Sequence, residues 1–204
     1  MSFKIDHPQR RSIRLKGYDY SSPGAYFVTV CTRDRLPLFG KVENTEIILT
    51  PIGGIVEAFW RLIPRHFEGV SLDVYVVMPN HLHGVIVLSG EGRGEAFAEG
   101  GFRLDQEETA NASPLHLPGS ENPPLTRWNL QGTQRGSLGA IIQNFKSVST
   151  RKVNQLRGTP GVSLWQRNYY EHIIRDNNEL DRIRRYIVDN LLKWECDKYH
   201  PMRG

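Results

Sequence analysis

VYVVMPNHLHGVIVL, residues 74–88, is the stretch from which the fold can be worked out. Two apolar, β-forming runs, VYVVM and GVIVL, flank a Pro-Asn pair that is typical of a turn. We therefore predict two strands joined by a short turn, with the second strand beginning at the histidines. Because side chains alternate across a strand, His81 and His83 lie on one face and Leu82 lies on the other. Two neighbouring imidazoles can bind a divalent metal, although a surface or hydrogen-bonded pair is the commoner role.

Local signals predict a strand and a helix before this hairpin and a helix after it. AYFVTVCT, residues 25–32, is rich in aromatic and β-branched residues and predicts a strand. Thr50 is a suitable N-cap for a helix that begins at Pro51 and continues, with apolar residues at helical spacing, to Ile63. Ser137 is a similar cap for a second helix. Its predicted apolar stripe consists of Leu138, Ile141, Ile142, Phe145 and Val148.

The C-terminal part of the chain predicts one more strand and a final helix. Residues 162–174, VSLWQRNYYEHII, favour a strand. The helix after Asn177-Asn178 has an apolar stripe of Leu180, Ile183, Ile187, Leu191 and Trp194. Tyr186 and Asn190, four residues apart, flank that stripe on one helix face. A phenol and an amide placed there can face a site at the edge of the core, although a packed tyrosine with a surface hydroxyl is the commoner case.

The composition is that of a single globular domain with an acidic insertion. The chain has 204 residues, a hydrophobic content of 39%, a charged content of 24% and a net charge of +4. Residues 89–136 are rich in Gly, Pro, Glu and Asn and carry a net charge of −3, so the remainder carries +7. A segment of this kind predicts a long flexible insertion. We accordingly predict a basic arm over residues 1–20, one domain over residues 21–196 interrupted by the insertion, and a tail over residues 197–204.

Several classes of protein are excluded by what the sequence lacks. No apolar run of 18 residues is present, which argues against a membrane span. The basic N-terminus is not followed by an apolar segment or a cleavage site, so we expect a cytoplasmic protein. Cys31 and Cys196 are two unclustered thiols and cannot build a disulfide framework or a zinc knuckle.

Basic residues in two places are candidates for contacts to nucleic-acid phosphates. The second helix carries cations off its apolar stripe, among the small hydroxyl residues Ser147, Ser149 and Thr150, and the N-terminal arm is also basic. A solvated helix face and a solvated tail are the alternative readings. The candidate DNA contacts are Arg10, Arg11, Arg14, Lys146, Arg151 and Lys152.

In combination, these motifs resemble a known family. MPNHLHGVIVL contains the pattern histidine, bulky apolar residue, histidine, and it is followed by GSLGAIIQNFKSVSTRKVN and by LWQRNYYEHIIRDNNELDRIRRYIVDNLLKW. This order resembles the single-tyrosine HUH transposases, and in particular the REP-associated tyrosine transposases. The resemblance covers residues 20–88 and 137–196.

The resemblance implies a fold, a site and a reaction. The implied fold is an α+β, ferredoxin-like domain of order β-α-β-β-α-β-α with an antiparallel sheet and helices packed on it. His81, His83 and Asn190 would bind a divalent metal, Mg²⁺ or Mn²⁺, and Tyr186 would be the nucleophile. The partner would be single-stranded or hairpin DNA, and the protein would be a monomer or a homodimer. Tyr169 and Tyr170 are competing candidates for the nucleophile.

The chemistry of these residue types fits such a role. A tyrosine hydroxyl, with a pKa of about 10, is a weak nucleophile at neutral pH. A metal bound beside it would polarise the phosphate and stabilise the developing charge. We therefore expect cleavage and rejoining of DNA at hairpins through a 5′-phosphotyrosine.

Three other functions remain open at this point. The protein could be a catalytically silent hairpin-DNA-binding protein of the same fold. It could be a metal-dependent hydrolase that activates water, or an RNA-binding domain of the RRM type, whose characteristic motif neither histidine-flanking strand carries.

Overall fold

The computed structural model describes residues 15, 17–89, 136–197 and 199–200, and these form an α+β fold. Within these residues, six strands and four α-helices follow one another. They are β1 (Gly24–Cys31), β2 (Gly40–Glu43), β3 (Glu46–Leu49), α1 (Pro51–Arg61), α2 (Ile63–His66), β4 (Val70–Met78), β5 (His81–Leu88), α3 (Leu138–Arg157), β6 (Tyr170–Ile174) and α4 (Asn177–Val188). Arg10, Arg11, Arg14 and nearly all of the predicted insertion lie outside the described residues.

Four strands form the main sheet in the order β4-β5-β1-β6, and every neighbouring pair is antiparallel. The elements β1, α1, β4, β5, α3, β6 and α4 follow the predicted order, and the ferredoxin-like fold is confirmed. β1 is an inner strand that pairs with the histidine strand β5 on one side and with β6 on the other. In this register His83 lies opposite Thr29, and His81 lies opposite Cys31 at the end of β1.

The two faces of the sheet are covered by different helices. Leu82 packs in a core with Ile141 and Phe145 of α3 on one face. Phe27 and Val85 pack with Leu180 and Ile187 of α4 on the other. Full burial of one such aliphatic or aromatic side chain contributes about 1.5–3 kcal/mol, so both helices are held mainly by their apolar faces. The predicted alternation of His81, Leu82 and His83 is confirmed, because Leu82 belongs to the α3 core and the histidines face the α4 side.

The predicted helix caps at Thr50 and Ser137 are also confirmed. The Thr50 side chain accepts a hydrogen bond from the Gly53 amide at 3.1 Å. The Ser137 side chain accepts one from the Ala140 amide at 3.3 Å. Each bond satisfies an amide that the first turn of a helix leaves unpaired.

The C-terminal elements are shorter than predicted. Within residues 162–174, only Tyr170–Ile174 form a strand, and Trp165 makes a single bridge to Thr32. The carbonyl groups of Gln166 and Arg167 accept hydrogen bonds from the Lys146 ammonium instead of from a neighbouring strand.

The last helix also differs from the prediction at both ends. It is capped by Asp176, whose side chain accepts a hydrogen bond from the Glu179 amide at 2.8 Å, and not by the asparagines that follow. It ends at Val188, so Asn190 and Leu191 lie in the turns beyond it and Trp194 lies in a short 3₁₀ helix.

Two further differences concern β2–β3 and α3. The small hairpin of β2 and β3 was not predicted. Ser149, predicted on the polar face of α3, is fully buried and accepts a hydrogen bond from Nε1 of Trp165 at 2.9 Å. Among the described residues, no helix combines the length and the apolar character that crossing a membrane requires.

Candidate active site

The two histidines form a buried pair at the start of β5. Their side chains are 0% and 1% exposed, and their Nε2 atoms are 3.0 Å apart. Nδ1 of His81 lies 2.8 Å from Oδ1 of Asn80, and Nδ1 of His83 lies 2.8 Å from Oγ1 of Thr29. Each ring therefore has a polar partner behind it, so both Nε2 atoms point into the same space.

Asp197 is the third group at this point. Its Oδ2 lies 3.9 Å from Nε2 of His81, and the ligand atoms of His81, His83 and Asp197 all lie within 4.8 Å of one another. All three side chains are buried. The sequence assigned Asp197 to the tail, and no local pattern distinguishes it from the other C-terminal acidic residues.

The donor set fits a divalent cation. Two imidazole nitrogens and one carboxylate form a mixed N/O set that suits Mn²⁺ and other first-row ions, and Mg²⁺ through the carboxylate. Two nitrogens at about 2.1 Å from an ion and at right angles to each other would be about 3.0 Å apart, as expected for octahedral ligands. The observed Nε2–Nε2 distance matches this value, so the histidines fit the metal that the family resemblance implies.

Tyr186 brings a nucleophilic group to the histidines from α4. Its hydroxyl lies 3.5 Å from Nε2 of His83, and the two rings are 5.4 Å apart. The tyrosine ring also packs edge-on against Phe27, with a centroid distance of 5.9 Å. The side chain is 42% exposed, so the phenol is open to a large substrate. Burial of part of the ring, together with the Asp197 carboxylate, raises the pKa of Tyr186 above its ordinary value.

The position of α4 is fixed on both sides of Tyr186. Arg184 donates hydrogen bonds from Nε and an η-nitrogen to the Asp73 carboxylate at 2.7–3.2 Å. This bidentate ion pair connects the helix to the edge strand β4, where the register with β5 shifts between Leu72 and Tyr75. Ile187 on the next position is fully buried in the α4 core.

Asn190 is close to the site, and its amide nitrogen is hydrogen-bonded within the chain. It lies two residues beyond the end of α4, and its side chain is 3% exposed. Its Nδ2 donates a hydrogen bond to the carbonyl oxygen of Tyr186 at 3.0 Å and thereby caps the last turn. A ligand role for its amide oxygen stays a prediction.

The other tyrosines near the histidines differ in their surroundings. Tyr169 packs against the α3 core, on the face of the sheet away from the histidines. Tyr170 lies on the histidine face, is 38% exposed and packs edge-on against Phe27. Tyr199, which the sequence did not single out, has its ring centroid 4.7 Å from that of His81, and burial raises its pKa. Among the described residues, Tyr170, Tyr186 and Tyr199 therefore lie on the histidine face, and the Tyr186 hydroxyl is within hydrogen-bond distance of His83.

The predicted basic residues of α3 lie apart from the histidines. α3 packs on the opposite face of the sheet, where Lys146 and Arg151 line a cleft of about 380 Å³ together with residues 161–163 and 165–167. The Lys146 ammonium donates hydrogen bonds to the carbonyls of Gln166 and Arg167, and burial lowers its pKa to about 8. Arg151 and Lys152 are exposed on the helix.

Comparisons with known proteins agree with this architecture. No family model matches the chain. A Haemophilus influenzae protein named "Uncharacterized protein" is 36% identical over 194 residues, which cover 94% of this chain and 93% of that protein. The solved structure of a REP-associated tyrosine transposase bound to a REP hairpin aligns with 91% of this chain and 76% of its own, with a TM-score of 0.51 and 16% identity. The chain therefore belongs to the same family as the H. influenzae protein and has the fold of the REP-associated tyrosine transposase.

Proposed function

We propose that the protein is a cytoplasmic, metal-dependent endonuclease and strand transferase for single-stranded DNA, with Tyr186 as its nucleophile. The observation that carries this proposal is the position of the Tyr186 hydroxyl, 3.5 Å from Nε2 of His83 in a converging histidine pair. A phenol beside a divalent-metal site is the combination that phosphoryl transfer to tyrosine requires, because the metal and the attacking oxygen must reach the same phosphate.

The metal would be Mn²⁺ or Mg²⁺, held by His81 and His83 with Asp197 or Asn190 as a third ligand. When bound, it would polarise the scissile phosphate and stabilise the charge that develops there. The protein contributes the geometry, because Thr29 and Asn80 orient the imidazoles and α4 fixes the tyrosine. The 42% exposure of Tyr186 leaves one side of the phenol open to the DNA.

The reaction that we infer is a reversible transesterification. The Tyr186 hydroxyl oxygen attacks phosphorus, the phenol loses its proton to solvent, and the bond between phosphorus and the 3′ oxygen breaks. The 3′ oxygen takes up a proton and leaves as a 3′-OH. The 5′ phosphate remains esterified to Tyr186, and a 3′-OH can attack it to rejoin a strand without ATP, since the number of phosphate esters is unchanged.

Hairpin DNA is the substrate that we infer. The structural neighbour is a transposase bound to a REP hairpin, which supports a palindromic partner for the same fold. Arg10, Arg11, Arg14, Lys146, Arg151 and Lys152 are the proposed backbone contacts, because phosphate contacts position a nucleic acid whereas base contacts specify it. Of the α3 residues, Arg151 and Lys152 are the exposed pair, so we expect them to contribute most.

A covalent-adduct assay tests the proposal. The protein is incubated with Mn²⁺ and a 3′-labelled oligonucleotide that carries a repeated palindrome from the DNA flanking its gene. We expect a labelled protein band that is absent with Tyr186→Phe and present with Tyr170→Phe and Tyr199→Phe. An adduct that survives Tyr186→Phe and is lost in one of the other two variants would assign the nucleophile to that tyrosine.

One observation favours a second candidate function, a hairpin-binding protein that does not cut. The histidines are 0% and 1% exposed, and Tyr199 packs over them, so the site is covered by the protein's own C-terminal segment. Such a protein would bind the hairpin in a gel-shift assay and give no cleavage with Mn²⁺. A hydrolase that activates water would instead give cleaved DNA without a covalent link.

A further inference from the structure

Asn80 is a fully buried amide in the turn immediately before His81. Its Nδ2 donates hydrogen bonds to the carbonyl oxygens of Arg35 at 3.0 Å and of Tyr199 at 2.6 Å. Its Oδ1 lies 2.8 Å from Nδ1 of His81. One amide therefore connects a histidine, the loop after β1 and the C-terminal segment. The sequence patterns assign it no role, and the proposed reaction uses it only as a partner of the His81 ring.

The surroundings of Asn80 determine which way the amide points. Backbone carbonyls only accept hydrogen bonds, so the amide nitrogen must face Arg35 and Tyr199. The amide oxygen must then face His81, and because an amide oxygen also only accepts, Nδ1 of His81 must carry the proton. In a neutral imidazole this leaves a lone pair on Nε2, which is the form that a metal binds.

The same logic extends to His83. With a lone pair on Nε2 of His81 and no cation present, a proton on Nε2 of His83 would make the 3.0 Å contact between the two Nε2 atoms a hydrogen bond. Nδ1 of His83 then accepts a hydrogen bond from the Thr29 hydroxyl at 2.8 Å. A hydroxyl can rotate to donate or accept, so Thr29 permits either tautomer of His83, whereas Asn80 permits one tautomer of His81.

Asn80 also holds the segment that contains Asp197. The Tyr199 carbonyl accepts from Asn80, and the Tyr199 amide donates to Oδ1 of Asp197 at 2.7 Å. On its other side, the carbonyl that Asn80 binds belongs to Arg35, which follows Asp34 with both residues at positive φ, 55° and 56°. Non-glycine residues rarely adopt this conformation unless their surroundings hold them there.

We propose that Asn80 is a positioning residue that presents Nε2 of His81 and the Asp197 segment to the divalent cation. This inference rests on the metal site of the proposed function. The hydrogen bond to Asn80 favours the Nδ1–H tautomer of a neutral His81, which leaves the Nε2 lone pair for the cation. His83 would hold the cation through Nε2, with its Nδ1 toward the Thr29 hydroxyl, which can donate or accept.

The first test measures the tautomers in the metal-free protein. Long-range ¹H–¹⁵N correlation spectra of the ¹⁵N-histidine-labelled full chain distinguish a protonated from an unprotonated ring nitrogen. We expect protonated Nδ1 in His81 and protonated Nε2 in His83, and Asn80→Ala should populate the other tautomer of His81. Protonated Nε2 in the wild-type His81 would overturn the inference, with no consequence for cleavage chemistry.

The second test measures Mn²⁺ affinity by electron paramagnetic resonance. Removing a hydrogen-bond partner of a metal-bound histidine weakens binding by about 10–100-fold, and we expect this for Asn80→Ala. Asn80→Asp keeps an acceptor for His81 but repels the two carbonyls, so it should retain the tautomer and still lose affinity. The control is Asn154→Ala, because Asn154 is a buried asparagine on α3 that donates to the Val162 carbonyl at 2.8 Å.

The outcomes separate this inference from the proposed function. Folded Asn80→Ala and Asn80→Asp proteins that bind Mn²⁺ within twofold of wild type would overturn the positioning role while leaving the metal site intact. A wild-type protein with the expected tautomers that binds no Mn²⁺ would overturn the metal site and therefore both proposals. Loss of affinity in Asn154→Ala as large as in Asn80→Ala would show a general packing effect and would also overturn the role of Asn80.

Discussion

The hydroxyl of Tyr186 lies 3.5 Å from Nε2 of His83 in the same chain, although 103 residues separate them in sequence. Two anchors on α4 place the phenol there. Arg184 forms a bidentate ion pair with Asp73 of β4, and Ile187 is buried in the α4 core. The proposed nucleophile and the proposed metal ligands are therefore brought together without a second protomer.

A mixing experiment tests whether each chain carries its own complete site. Tyr186→Phe protein retains the histidines, and His83→Ala protein retains the tyrosine. Because Tyr186 reaches the histidines of its own chain, we expect an equimolar mixture to form no more adduct than either variant alone in the labelled-oligonucleotide assay. Recovery of a substantial part of the wild-type adduct in the mixture would show that α4 is exchanged between two protomers.

Variants of Asp197 and Asn190 distinguish the two candidates for the third metal ligand. Asp197→Asn should lower Mn²⁺ affinity by at least about tenfold. Even the loss of a residue that only hydrogen-bonds to a metal ligand lowers metal affinity by about that factor. Asn190→Ala should leave the affinity nearly unchanged and lower the free energy of unfolding by about 0.5–1.5 kcal/mol, because a hydrogen bond to the Tyr186 carbonyl is lost. Isothermal titration with Mn²⁺ and chemical denaturation measure both quantities. The reverse pattern of affinities would assign Asn190 as the ligand, as the family resemblance implies.

Two adjacent glycines in α1, Gly53 and Gly54, differ in how much space a side chain would have. A Cβ at Gly53 would lie 2.0 Å from the carbonyl oxygen of Phe39, whereas a Cβ at Gly54 would meet nothing within 4 Å. Gly53→Ala must displace the backbone before β2 and should destabilise by about 1–3 kcal/mol or more. Gly54→Ala should stabilise by about 0.5–1 kcal/mol, because alanine loses less conformational entropy in a helix. Thermal unfolding measures both changes, and equal effects of the two substitutions would contradict the close approach at Gly53.

Lys146 should make stability depend on pH in the alkaline range. Burial lowers its pKa from 10.5 to about 8, so between these values the unfolded chain holds a proton that the folded chain has lost. The unfolding free energy should therefore rise with pH from about 8 to about 10. Lys146→Met should be less stable at neutral pH, because two carbonyls lose their donor, and should lack this rise. The measurement is denaturant unfolding of both proteins at pH 7, 8, 9 and 10, and parallel pH profiles would contradict the prediction.

Exposed cations on α3 should give hairpin binding a steep salt dependence. Each phosphate contact contributes about one to the slope of log affinity against log salt, so Arg151→Gln combined with Lys152→Gln should reduce the slope by about two. The control combines Lys41→Gln with Arg65→Gln, which removes the same charge from exposed positions outside α3. Fluorescence anisotropy at several salt concentrations measures the slopes. Equal slopes for the two double variants would exclude α3 from the interface.

The local signals of the sequence were sufficient to predict the order of the main-sheet strands and of α1, α3 and α4. Alternation placed His81 and His83 on one face, and the caps at Thr50 and Ser137 fixed two helix starts. The β2–β3 hairpin was missed because its strands have four residues each, and its turn uses Asn44 and Thr45 at φ 50° and 65°. Such turns normally contain glycine, which is the signal that identifies a two-residue hairpin loop.

The parts of the site that were missed depend on tertiary contacts. Asp197 and Tyr199 reach the histidines because Asn80 binds the Tyr199 carbonyl across 119 residues, and nothing near residue 197 in the sequence indicates this. The DNA contact of Lys146 stays a prediction, which rests on its place off the apolar stripe of α3. Its ammonium is directed to two carbonyls of a loop, which a helical pattern does not reveal.

The distance along the chain between His81 and Asp197 has a thermodynamic consequence. An ion held by both would cross-link positions 116 residues apart and would close a loop that contains residues 90–135. Because the native state alone brings these ligands together, Mn²⁺ at 100 times its dissociation constant would stabilise it by about 2.7 kcal/mol. Removal of the ion by a chelator should then let the C-terminal segment unfold locally while the sheet stays folded. Faster amide hydrogen exchange near Asp197 would be the measurable sign of this change.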